Sequence, residues 1–553
     1  MIEDLRGIVK GEISIEEEEL KNKSRDASIF EVKPEAVVYP KDVEDLKNIV
    51  SWASECKAEN PNLSLTARSA GTDMTGGPLN DSVILDFTRY FNRVGEVTAI
   101  PPDGGIAVVE PGVYYRDFEK ETLAKNLLMP SYPASREICT VGGMAANNSG
   151  GEKSLRFGQT VRYVEELAVV LSDGNEYTLH GLDQNELAQK ISQQDFEGEV
   201  YRRMRGLIED NYDVILSAKP DVTKNSAGYL LWDVWPNRET FNLAKLFVGS
   251  QGTLGLITKI KFRLIRPKKY SKLLVIFLND LAPLGELVKE VVKFKPESFE
   301  AFDDQALKLA VKFLPDIMKN IKTGAFSLAL KFLPELGMMI MGGVPELVLI
   351  AEFTGETESE ADDKLKMAEP AVKKKFPSLK THITRSLEEA EKYWIMRRES
   401  FNLLRHHVQG KHTAPFIDDV IVHVDQLPEF LPRLKDLIGQ YPGLTYTVAG
   451  HAGDANFHVI PLMDFSDEAN QRIIPELSEK VYDLVVSMKG SITAEHNDGL
   501  IRTPYLEKMY GPKICELFRQ TKEIFDPLNI FNPRKKVLPD KDFARTHIAK
   551  TNG

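Results

Sequence analysis

The stretch Arg68-Ser-Ala-Gly-Thr-Asp-Met-Thr-Gly-Gly77 follows a predicted β-strand and places three glycines where a chain must turn tightly. Consecutive peptide N–H groups in such a turn form a concave nest for an anion such as a pyrophosphate, and glycine permits the close approach. The stretch is not a GxGxxG dinucleotide fingerprint, because no such motif opens a helix of a βαβ unit here. Taken alone, the stretch is also compatible with an ordinary turn.

Two further glycine-rich segments occur downstream. The first runs through Pro130-Ser-Tyr-Pro-Ala-Ser135, Thr140-Val-Gly-Gly-Met-Ala-Ala-Asn-Asn-Ser-Gly-Gly151 and Arg156-Phe-Gly158. The second is Val248-Gly-Ser-Gln-Gly-Thr-Leu-Gly-Leu-Ile-Thr258. Three such segments, each beside strand-like sequence, are hard to explain as ordinary hairpins. One large, extended, phosphate-bearing ligand explains them together.

The segments around these loops show alternating helical and strand-like patterns. Apolar residues at three- and four-residue steps after Asp42, a candidate cap, predict an amphipathic helix within residues 41–60. Helical sequence dominates from about Pro283 to Leu437. The chain is therefore predicted to form an α+β binding domain followed by a separate lobe. The predicted strands are Ala36–Tyr39, Leu63–Thr66, Val83–Asp86, Ile106–Val109, Glu166–Leu171 and Leu254–Leu264.

Composition excludes several classes of protein. The length of 553 residues predicts two or three lobes. A formal net charge of −12 argues against a nucleic-acid partner, since no basic excess is available to neutralise phosphates. The three cysteines, Cys56, Cys139 and Cys515, form no CxxC pair, so the chain is a poor host for an iron–sulfur cluster. Sparse cysteine suits a reducing compartment.

No segment has the pattern of a secretory signal or a membrane span. The N-terminal residues are acidic and lack a continuous apolar core, and no run of 18 or more residues is uniformly apolar. We therefore expect a cytoplasmic protein, with peripheral membrane contact as an alternative. The apolar segment 324–351 is interrupted by prolines and predicts two short helices, either as buried core or as a membrane- or partner-facing patch.

The glycine-rich segments resemble the FAD-binding domain of the vanillyl-alcohol oxidase / p-cresol methylhydroxylase superfamily. The resemblance extends over residues 24–540 and includes Arg25-Asp26 and Pro34–Pro40. It implies an α+β fold with a two-part FAD-binding domain of the p-cresol methylhydroxylase type (residues 1–268), a substrate or cap domain with an antiparallel sheet (269–500), and a C-terminal segment that returns to the FAD domain (501–553).

The resemblance also assigns the residues that bind FAD. In the family the first loop wraps the pyrophosphate, the GG-x-x-A segment flanks the flavin and the GS-x-GTLG segment closes the site. Asp526-Pro-Leu-Asn-Ile-Phe-Asn-Pro533 matches the segment that returns to this domain, with Arg534 in place of the family's glycine. The implied cofactor-binding residues are Arg68, Ser69, Ala70, Gly71, Thr72, Thr75, Gly76, Pro133, Ala134, Thr140, Gly142, Gly143, Ala146, Asn147, Gly158, Gln251, Gly252, Ile257 and Asn532.

Two departures from the family pattern concern the flavin. Thr72 stands where some members carry a histidine that tethers FAD, and a threonine hydroxyl cannot form that bond. FAD is therefore expected to be held noncovalently. Gln251 replaces the family's glutamate, which keeps the capacity for hydrogen bonding and removes a charge.

Two short histidine motifs lie in the second half. Gly450-His-Ala-Gly-Asp-Ala-Asn-Phe-His458 falls between strand-like sequences, and Ser491-Ile-Thr-Ala-Glu-His-Asn-Asp-Gly499 follows downstream. Two neutral imidazoles and a carboxylate make a plausible open site for a divalent ion. A histidine with a pKa of ~6.5 also suits a general base. The alternative is that these histidines only bind nearby backbone.

These motifs resemble the C-terminal domain of FAD-linked D-2-hydroxyacid dehydrogenases. The resemblance implies that His451, His458 and Glu495 bind a metal, zinc or manganese, that His496 is the base and that Asn456 lies beside the substrate. Three family glycines are replaced here, by Ala455, Ala494 and Asn497.

A helical segment in the second half supplies a candidate for binding the substrate. Trp394-Ile-Met-Arg397 resembles the family's W-x-x-R motif, whose arginine binds a substrate carboxylate bidentately. An exposed helix with basic residues is the alternative, since Arg397 and Arg398 are adjacent.

The implied reaction is oxidation of a D-2-hydroxy acid, D-lactate- or glycolate-like, to the 2-oxo acid by hydride transfer to flavin N5. The electrons are expected to pass to an external acceptor: a quinone, an electron-transfer flavoprotein or an iron–sulfur partner subunit. Two alternatives stay open. One is a reaction without net redox of the alkylglycerone-phosphate-synthase type, and the other is an electron-transfer flavoprotein subunit within a larger complex.

Overall fold

The computed structural model describes residues 2–102, 104–303, 345–407 and 411–550. The chain divides into two compact units. The first contains residues 2–151, 158–267 and 491–549, and the second contains residues 152–157 and the described part of 268–490. The C-terminal return to the first unit thus begins at residue 491, ten residues before the predicted boundary. Most of the predicted apolar segment 324–351 lies outside the described residues.

The first unit contains a small, mostly parallel sheet. Its strands are β1 (Glu12–Ser14), β2 (Ala36–Tyr39), β3 (Leu65–Arg68) and β4 (Val83–Asp86), in the order β1-β2-β4-β3. Strand β4 pairs in parallel with β2 and β3, and β1 pairs antiparallel to β2. The predicted amphipathic helix is confirmed as Val43–Cys56. Its buried face packs against this sheet.

A second, antiparallel sheet completes the first unit. Its strands are β5 (Val94–Ile100), β6 (Gly104–Val109), β7 (Val164–Val170), β8 (Glu176–Leu182), β9 (Phe241–Asn242) and β10 (Leu256–Ile265), in the order β5-β6-β10-β7-β8-β9. Burial alternates along β10 residue by residue, as expected for a strand with one covered face. The six strands that the sequence predicted in this unit are confirmed, with shifts of one or two residues at their ends.

Helices connect and cover these two sheets. The longest are Phe196–Asp210 and Leu506–Phe525. The shorter helices of the first unit are Ile2–Ile8, Glu17–Lys23, Tyr115–Leu123, Val141–Asn147, Gln184–Ser192, Tyr212–Ser217, Ala244–Phe247, Gly499–Arg502 and Lys541–Thr546, and single 3₁₀ turns occur at Thr160–Arg162, Leu231–Asp233 and Thr503–Tyr505.

The second unit is built on one antiparallel sheet. Its strands are β11 (Tyr270–Leu278), β12 (Ser298–Asp303), β13 (Leu347–Gly355), β14 (Lys380–Ile383), β15 (His412–Thr413), β16 (Val420–Ile421), β17 (Thr445–His451) and β18 (Asn456–Met463). The order is β14-β11-β13-β12-β17-β18-β15, and β16 also pairs with β18. The predicted α+β class, with an antiparallel sheet in the second domain, is confirmed.

Helix Leu387–His407 packs on one face of this sheet. Its residues Tyr393 and Trp394 share a core with Phe302, Val348 and Ile350 of the sheet. The other helices of the unit are Ser154–Phe157, Leu284–Val292, Glu358–Lys375, Leu427–Gly439 and Glu468–Ser487, with 3₁₀ turns at Val424–Gln426 and Ala452–Asp454.

The prediction that helices dominate from Pro283 to Leu437 is wrong in part. Strands β12 to β16 fall within that range. Residues 347–351, read from the sequence as helical, belong to β13, all of whose residues are buried. A short run that is apolar throughout fits a fully buried strand as well as a helix, so periodicity could not separate the two. Within the described residues, no helix combines the length and the apolarity needed to cross a membrane.

Asp45 ties the N-terminal segment to the first sheet's helix. Its buried carboxylate accepts hydrogen bonds from the backbone N–H groups of Lys10 (2.8 Å), Gly11 (2.9 Å) and Lys41 (2.8 Å). We predict that Asp45→Ala, which leaves three donors unsatisfied, costs about 3 kcal/mol and lowers the thermal midpoint by roughly 4–5 °C. The control Glu44→Ala, at an exposed neighbour, should change stability by less than about 0.5 kcal/mol. Equal midpoints for the two variants would contradict the role given to Asp45.

Candidate functional site

The first glycine-rich loop begins at the end of β3. Arg68, the last residue of that strand, is 6% exposed, and its guanidinium donates to the carbonyl oxygens of Lys23 (3.2 Å) and Arg25 (2.7 Å). Gly71 has φ = +70°, and a Cβ there would collide with the same guanidinium. The Arg68 side chain is therefore fixed by two backbone carbonyls next to the loop. Position 71 requires glycine because of its positive φ and the collision that a Cβ would make.

The backbone amides of this loop fall into two groups. Asp26 accepts the amide of Gly76 at 2.9 Å, and Asp73 accepts those of Thr75 (3.0 Å) and Gly77 (2.8 Å). Within the described part of the chain, the amides of residues 69–72 donate to no other residue. The first half of the loop, rather than Thr75 and Gly76, thus offers backbone donors for a phosphate.

Two buried ionisable groups near the loop, Asp26 and Lys535, have shifted pKa values. Burial, together with the negative charge of Asp73, raises the pKa of Asp26 to about 7. Burial, with the positive charge of Arg534, lowers the pKa of Lys535 to about 7. Because a neutral carboxyl repels an anion less than a carboxylate does, protonation of Asp26 reduces the electrostatic cost of placing a phosphate here.

The second and third glycine-rich segments are joined directly. Thr140 caps helix Val141–Asn147 by accepting from the amide of Gly143 at 3.3 Å. The amides of Gly249 and Gln251 then donate to the carbonyl oxygens of Ala145 and Ala146, both at 2.9 Å. A Cβ at Gly142 would collide with Pro111, so this position needs glycine for close packing.

Gln251 connects all three segments. Its Nε2 donates to Thr75 Oγ1 (3.3 Å) and Asn147 Oδ1 (3.4 Å), and its Oε1 accepts the amide of Gly499 (2.8 Å). Asn532 joins the same network, because its Nδ2 donates to the carbonyl oxygens of Gly77 (2.9 Å) and Gln251 (2.6 Å). Residues far apart in the sequence are thereby brought together in the first unit.

Five further predicted cofactor residues lie in loops or at a strand position of the first unit. Pro133 and the exposed Ala134 lie in an irregular loop, and Gly151 packs against the backbone beside Pro133. Gly158 has φ = +74°. Gly252 has φ = +69°, and Ile257 lies in β10, where it is half-buried.

Glu495 and His496 belong to the first unit. Glu495 is 6% exposed, and its Oε2 lies 2.9 Å from the Nζ of Lys224, which is fully buried. His496 is half-buried. Their segment is anchored by Asn497, whose Nδ2 donates to the carbonyl oxygens of Asn147 (3.1 Å) and Gly249 (2.9 Å). Glu495 and His496 therefore lie on the same network as the glycine-rich segments.

The other histidine motif forms the β17–β18 hairpin of the second unit. His451 and His458 are 3% and 9% exposed, and their ring centroids are 5.3 Å apart at an interplanar angle of 84°. His451 Nδ1 lies 2.7 Å from Glu300 Oε1, and His458 Nδ1 lies 3.0 Å from Asp418 Oδ1. Each of these histidines is thus paired with a carboxylate through Nδ1.

The two carboxylates determine which ring nitrogen can ligate a metal. An ionised carboxylate requires a donor, so each neutral imidazole carries its proton on Nδ1 and presents the lone pair of Nε2. This is the arrangement that carboxylates impose on histidine ligands of metals. His451 and His458 therefore fit the predicted role of metal ligands, judged on the second unit alone.

Arg397 and Asn456 are buried in the second unit. Arg397, on helix Leu387–His407, is 7% exposed and its Nη2 lies 3.2 Å from Glu300 Oε2, so the alternative of an exposed basic helix is wrong. Asn456 is fully buried, and its Nδ2 donates to Asp419 Oδ1 (3.1 Å) and to the carbonyl oxygen of Val420 (3.2 Å). Glu300 thus touches both Arg397 and His451.

The sequence did not single out Lys224, Glu300, Asp418 or Asp419. Each of these residues makes its contact with a partner distant in the chain, which no local pattern reveals. A usable signal was at Glu300, a carboxylate that lies between Phe299 and Ala301 in strand β12.

Three of the four residues that replace family glycines, all except Ala494, have a positive φ. Ala455, Asn497 and Arg534 have φ of 56°, 71° and 70°. These values lie in the left-handed region, which costs a residue with a Cβ about 1–2 kcal/mol, and asparagine least. The family's preference for glycine here has a direct conformational cause.

We predict that Gly71→Ala weakens FAD binding at least 10-fold, since it adds left-handed strain of about 1–2 kcal/mol to a collision with Arg68. The matched control is Gly206→Ala, in helix Phe196–Asp210, where a Cβ meets nothing within 4 Å. That change should leave FAD affinity unaltered and stabilise the helix by up to about 1 kcal/mol. Titration of the apoprotein with FAD, followed by flavin fluorescence, measures both. Unchanged affinity in Gly71→Ala would refute the assignment of the loop.

Two family models match the chain. The model described as FAD binding domain matches residues 34–180, and the model described as FAD linked oxidases, C-terminal domain, matches residues 267–536. They fall on the two regions that contain, respectively, the first glycine-rich segments and both histidine motifs.

Curated relatives resemble the chain along most of its length. A D-2-hydroxyglutarate dehydrogenase of Pseudomonas putida is 26% identical over 522 residues, which cover 93% of this chain and 49% of that protein. One of Stutzerimonas stutzeri is 26% identical, with 97% and 98% covered. A D-lactate dehydrogenase of Archaeoglobus fulgidus is 25% identical, with 91% of each covered. The chain spans about half the length of the first relative and nearly all of the other two.

Solved structures share the fold. The 4-ethylphenol oxidase of Gulosibacter chungangensis has a TM-score of 0.70 at 15% identity and covers 98% of this chain and 97% of its own. p-Cresol methylhydroxylase has a TM-score of 0.68 at 16% identity, with 97% and 96% covered. The predicted fold of the p-cresol methylhydroxylase type is confirmed. The chain therefore contains an FAD binding domain and a C-terminal domain of the FAD linked oxidases.

Proposed function

We propose that this chain is an FAD-dependent dehydrogenase that oxidises a D-2-hydroxy acid to the 2-oxo acid. The observation that carries the proposal is the buried pair His451 and His458, each held through Nδ1 by a carboxylate, in a chain that also matches an FAD-binding domain. The substrate class is taken from the relatives, which are named for D-2-hydroxyglutarate and D-lactate.

The first unit would hold FAD noncovalently. The amides of residues 69–72 would bind its pyrophosphate, and the network of Gln251, Asn147 and Asn532 would keep the three glycine-rich segments in place around it. When bound, FAD supplies the hydride acceptor for the oxidation. Thr72 has no nucleophilic group suited to tethering the flavin.

The remaining roles fall to residues of both units. His451 and His458, through Nε2, and Glu495 would hold a divalent ion, zinc or manganese, which supplies Lewis-acid stabilisation of the substrate oxygen. Lys224 binds Oε2 of Glu495, so Oε1 is the oxygen assigned to the ion. Arg397 would bind the substrate carboxylate, with Asn456 nearby, and His496 would take the proton of the hydroxyl group.

Electrons would leave to an acceptor outside the chain. The chain has three cysteines, one fewer than the four thiolates that an iron–sulfur cluster usually takes. A quinone, an electron-transfer flavoprotein and an iron–sulfur subunit are the proposed acceptor classes, and the protein is proposed to work in the cytoplasm or at a membrane surface.

Noncovalent binding predicts that acid releases the flavin. After precipitation of purified holoprotein with acid, all FAD should appear in the supernatant, because no covalent bond holds it to Thr72. The measurement is flavin absorbance in supernatant and pellet. Flavin that stays with the pellet would mean that another residue tethers it.

Reduction of the flavin tests the reaction itself. Under anaerobic conditions, D-2-hydroxyglutarate, D-lactate or glycolate should bleach the oxidised flavin. His496→Ala should slow this step by ~10²–10⁴-fold, since a positioned base is lost, while FAD content stays the same. His423→Ala, at an exposed histidine, is the control and should keep the wild-type rate.

The alternatives predict different results. An enzyme of the alkylglycerone-phosphate-synthase type would not be reduced by any 2-hydroxy acid. An electron-transfer subunit would accept electrons only from a protein partner. If no 2-hydroxy acid bleaches the flavin, the proposed function is wrong.

A further inference from the structure

Glu300 occupies an unexpected position in the second unit. In the pairing of β12 with β13, Glu300 lies opposite Ile350 and Phe302 lies opposite Val348. Directly opposed residues of an antiparallel pair share one face, and Phe302, Val348 and Ile350 form the core beneath helix Leu387–His407. Glu300 is therefore a carboxylate in a row of core side chains, and it is 1% exposed.

A buried carboxylate in such a row is costly for stability. Replacing a whole buried ion pair by apolar side chains of similar size is often neutral or stabilising by about 1–4 kcal/mol. Its retention points to a use other than packing. The use is visible in its two oxygens, because Oε1 contacts His451 Nδ1 at 2.7 Å and Oε2 contacts Arg397 Nη2 at 3.2 Å.

Asp418 serves as an internal comparison. It is fully buried, and its Oδ1 contacts His458 Nδ1 at 3.0 Å. The two histidines are equivalent in this respect, each having one carboxylate on Nδ1. Asp418 thus contacts His458, whereas Glu300 contacts both a histidine and Arg397.

We infer that Glu300 is a positioning residue that fixes two groups at once: the imidazole of His451, with Nε2 directed to the ion, and the guanidinium of Arg397, directed to the substrate carboxylate. Asp418 positions His458. The inference rests on the proposed function for the identity of the two ligands. It adds that ion binding and carboxylate binding are mechanically linked through one side chain.

The test uses full-length holoprotein with FAD bound, stripped of metal and titrated with Co²⁺ alone, with d–d absorption as the readout. Glu300→Gln and Asp418→Asn should each weaken Co²⁺ binding by about 10–100-fold, the usual effect of removing a carboxylate behind a histidine ligand. At saturating Co²⁺, Asp418→Asn should regain the wild-type KM for the hydroxy acid. Glu300→Gln should keep a KM raised roughly 10-fold, because Arg397 has lost a charged partner.

Two further variants make the result independent of folding. Glu389→Gln breaks a histidine–carboxylate pair of the same kind, His382 Nε2 to Glu389 Oε1 at 2.8 Å, and should leave Co²⁺ binding unchanged. Glu300→Met also removes the carboxylate and should still lose Co²⁺ affinity. Because buried Arg397 then lacks that charge, the variant should be less stable by about 3–5 kcal/mol, and its Co²⁺ titration is interpreted together with its thermal midpoint. Retained FAD in each variant reports an intact first unit.

The outcomes separate the inference from the proposed function. Wild-type Co²⁺ affinity in both Glu300→Gln and Glu300→Met overturns the inference while leaving hydroxy-acid oxidation intact. A KM that recovers in Glu300→Gln as it does in Asp418→Asn overturns the link to Arg397. If Co²⁺ affinity falls as expected but no hydroxy acid reduces the flavin, the positioning role of Glu300 stands and the proposed reaction fails.

Discussion

The hydrogen bonds of the Gln251 side-chain amide hold together the glycine-rich segments of the first unit. The amide of Gly499 needs an acceptor, which places Oε1 there, and Nε2 is then directed at Thr75 and Asn147. A glutamate, which only accepts when ionised, could not donate to Oδ1 of Asn147. Glutamine at this position therefore adds a hydrogen-bond donor as well as removing a charge. Thr75 and Asn147 accept from that donor, and Gly499 donates to the amide oxygen.

The site residues of the second unit are mostly charged or ionisable groups that are buried. Glu300, Arg397, Asp418 and two histidines all lie below one tenth exposed. Each such group costs free energy unless it is paired, and the pairs found here direct side chains and hold them still. Low exposure also lowers the local dielectric constant, which strengthens the field of any charge brought to the site. Burying these charged groups lowers the stability of the second unit, and their pairing fixes the orientation of the side chains.

Much of this could be predicted from the sequence, and the failures have physical causes. Helix Val43–Cys56 and the strands around the first loop were predictable because periodicity and capping are local. Strand β13 was missed because it is buried on both faces and does not alternate. The glycine-rich segments identified the ligand class. The partners that orient the histidines, Glu300 and Asp418, were out of reach, since their contacts join residues 151 and 40 positions apart.

The discontinuity of the first unit has a consequence for its synthesis. Strand β3 is an edge of its sheet, and that edge is covered by residues 530–532, where Leu65 and Phe531 pair in parallel. The ribosome must make the whole second unit before that cover exists. At roughly 5–20 residues per second, the interval between the emergence of residues 68 and 532 lasts on the order of a minute. During that time an unpaired strand edge is available for pairing with other chains, and nascent copies on one polysome are the nearest of these.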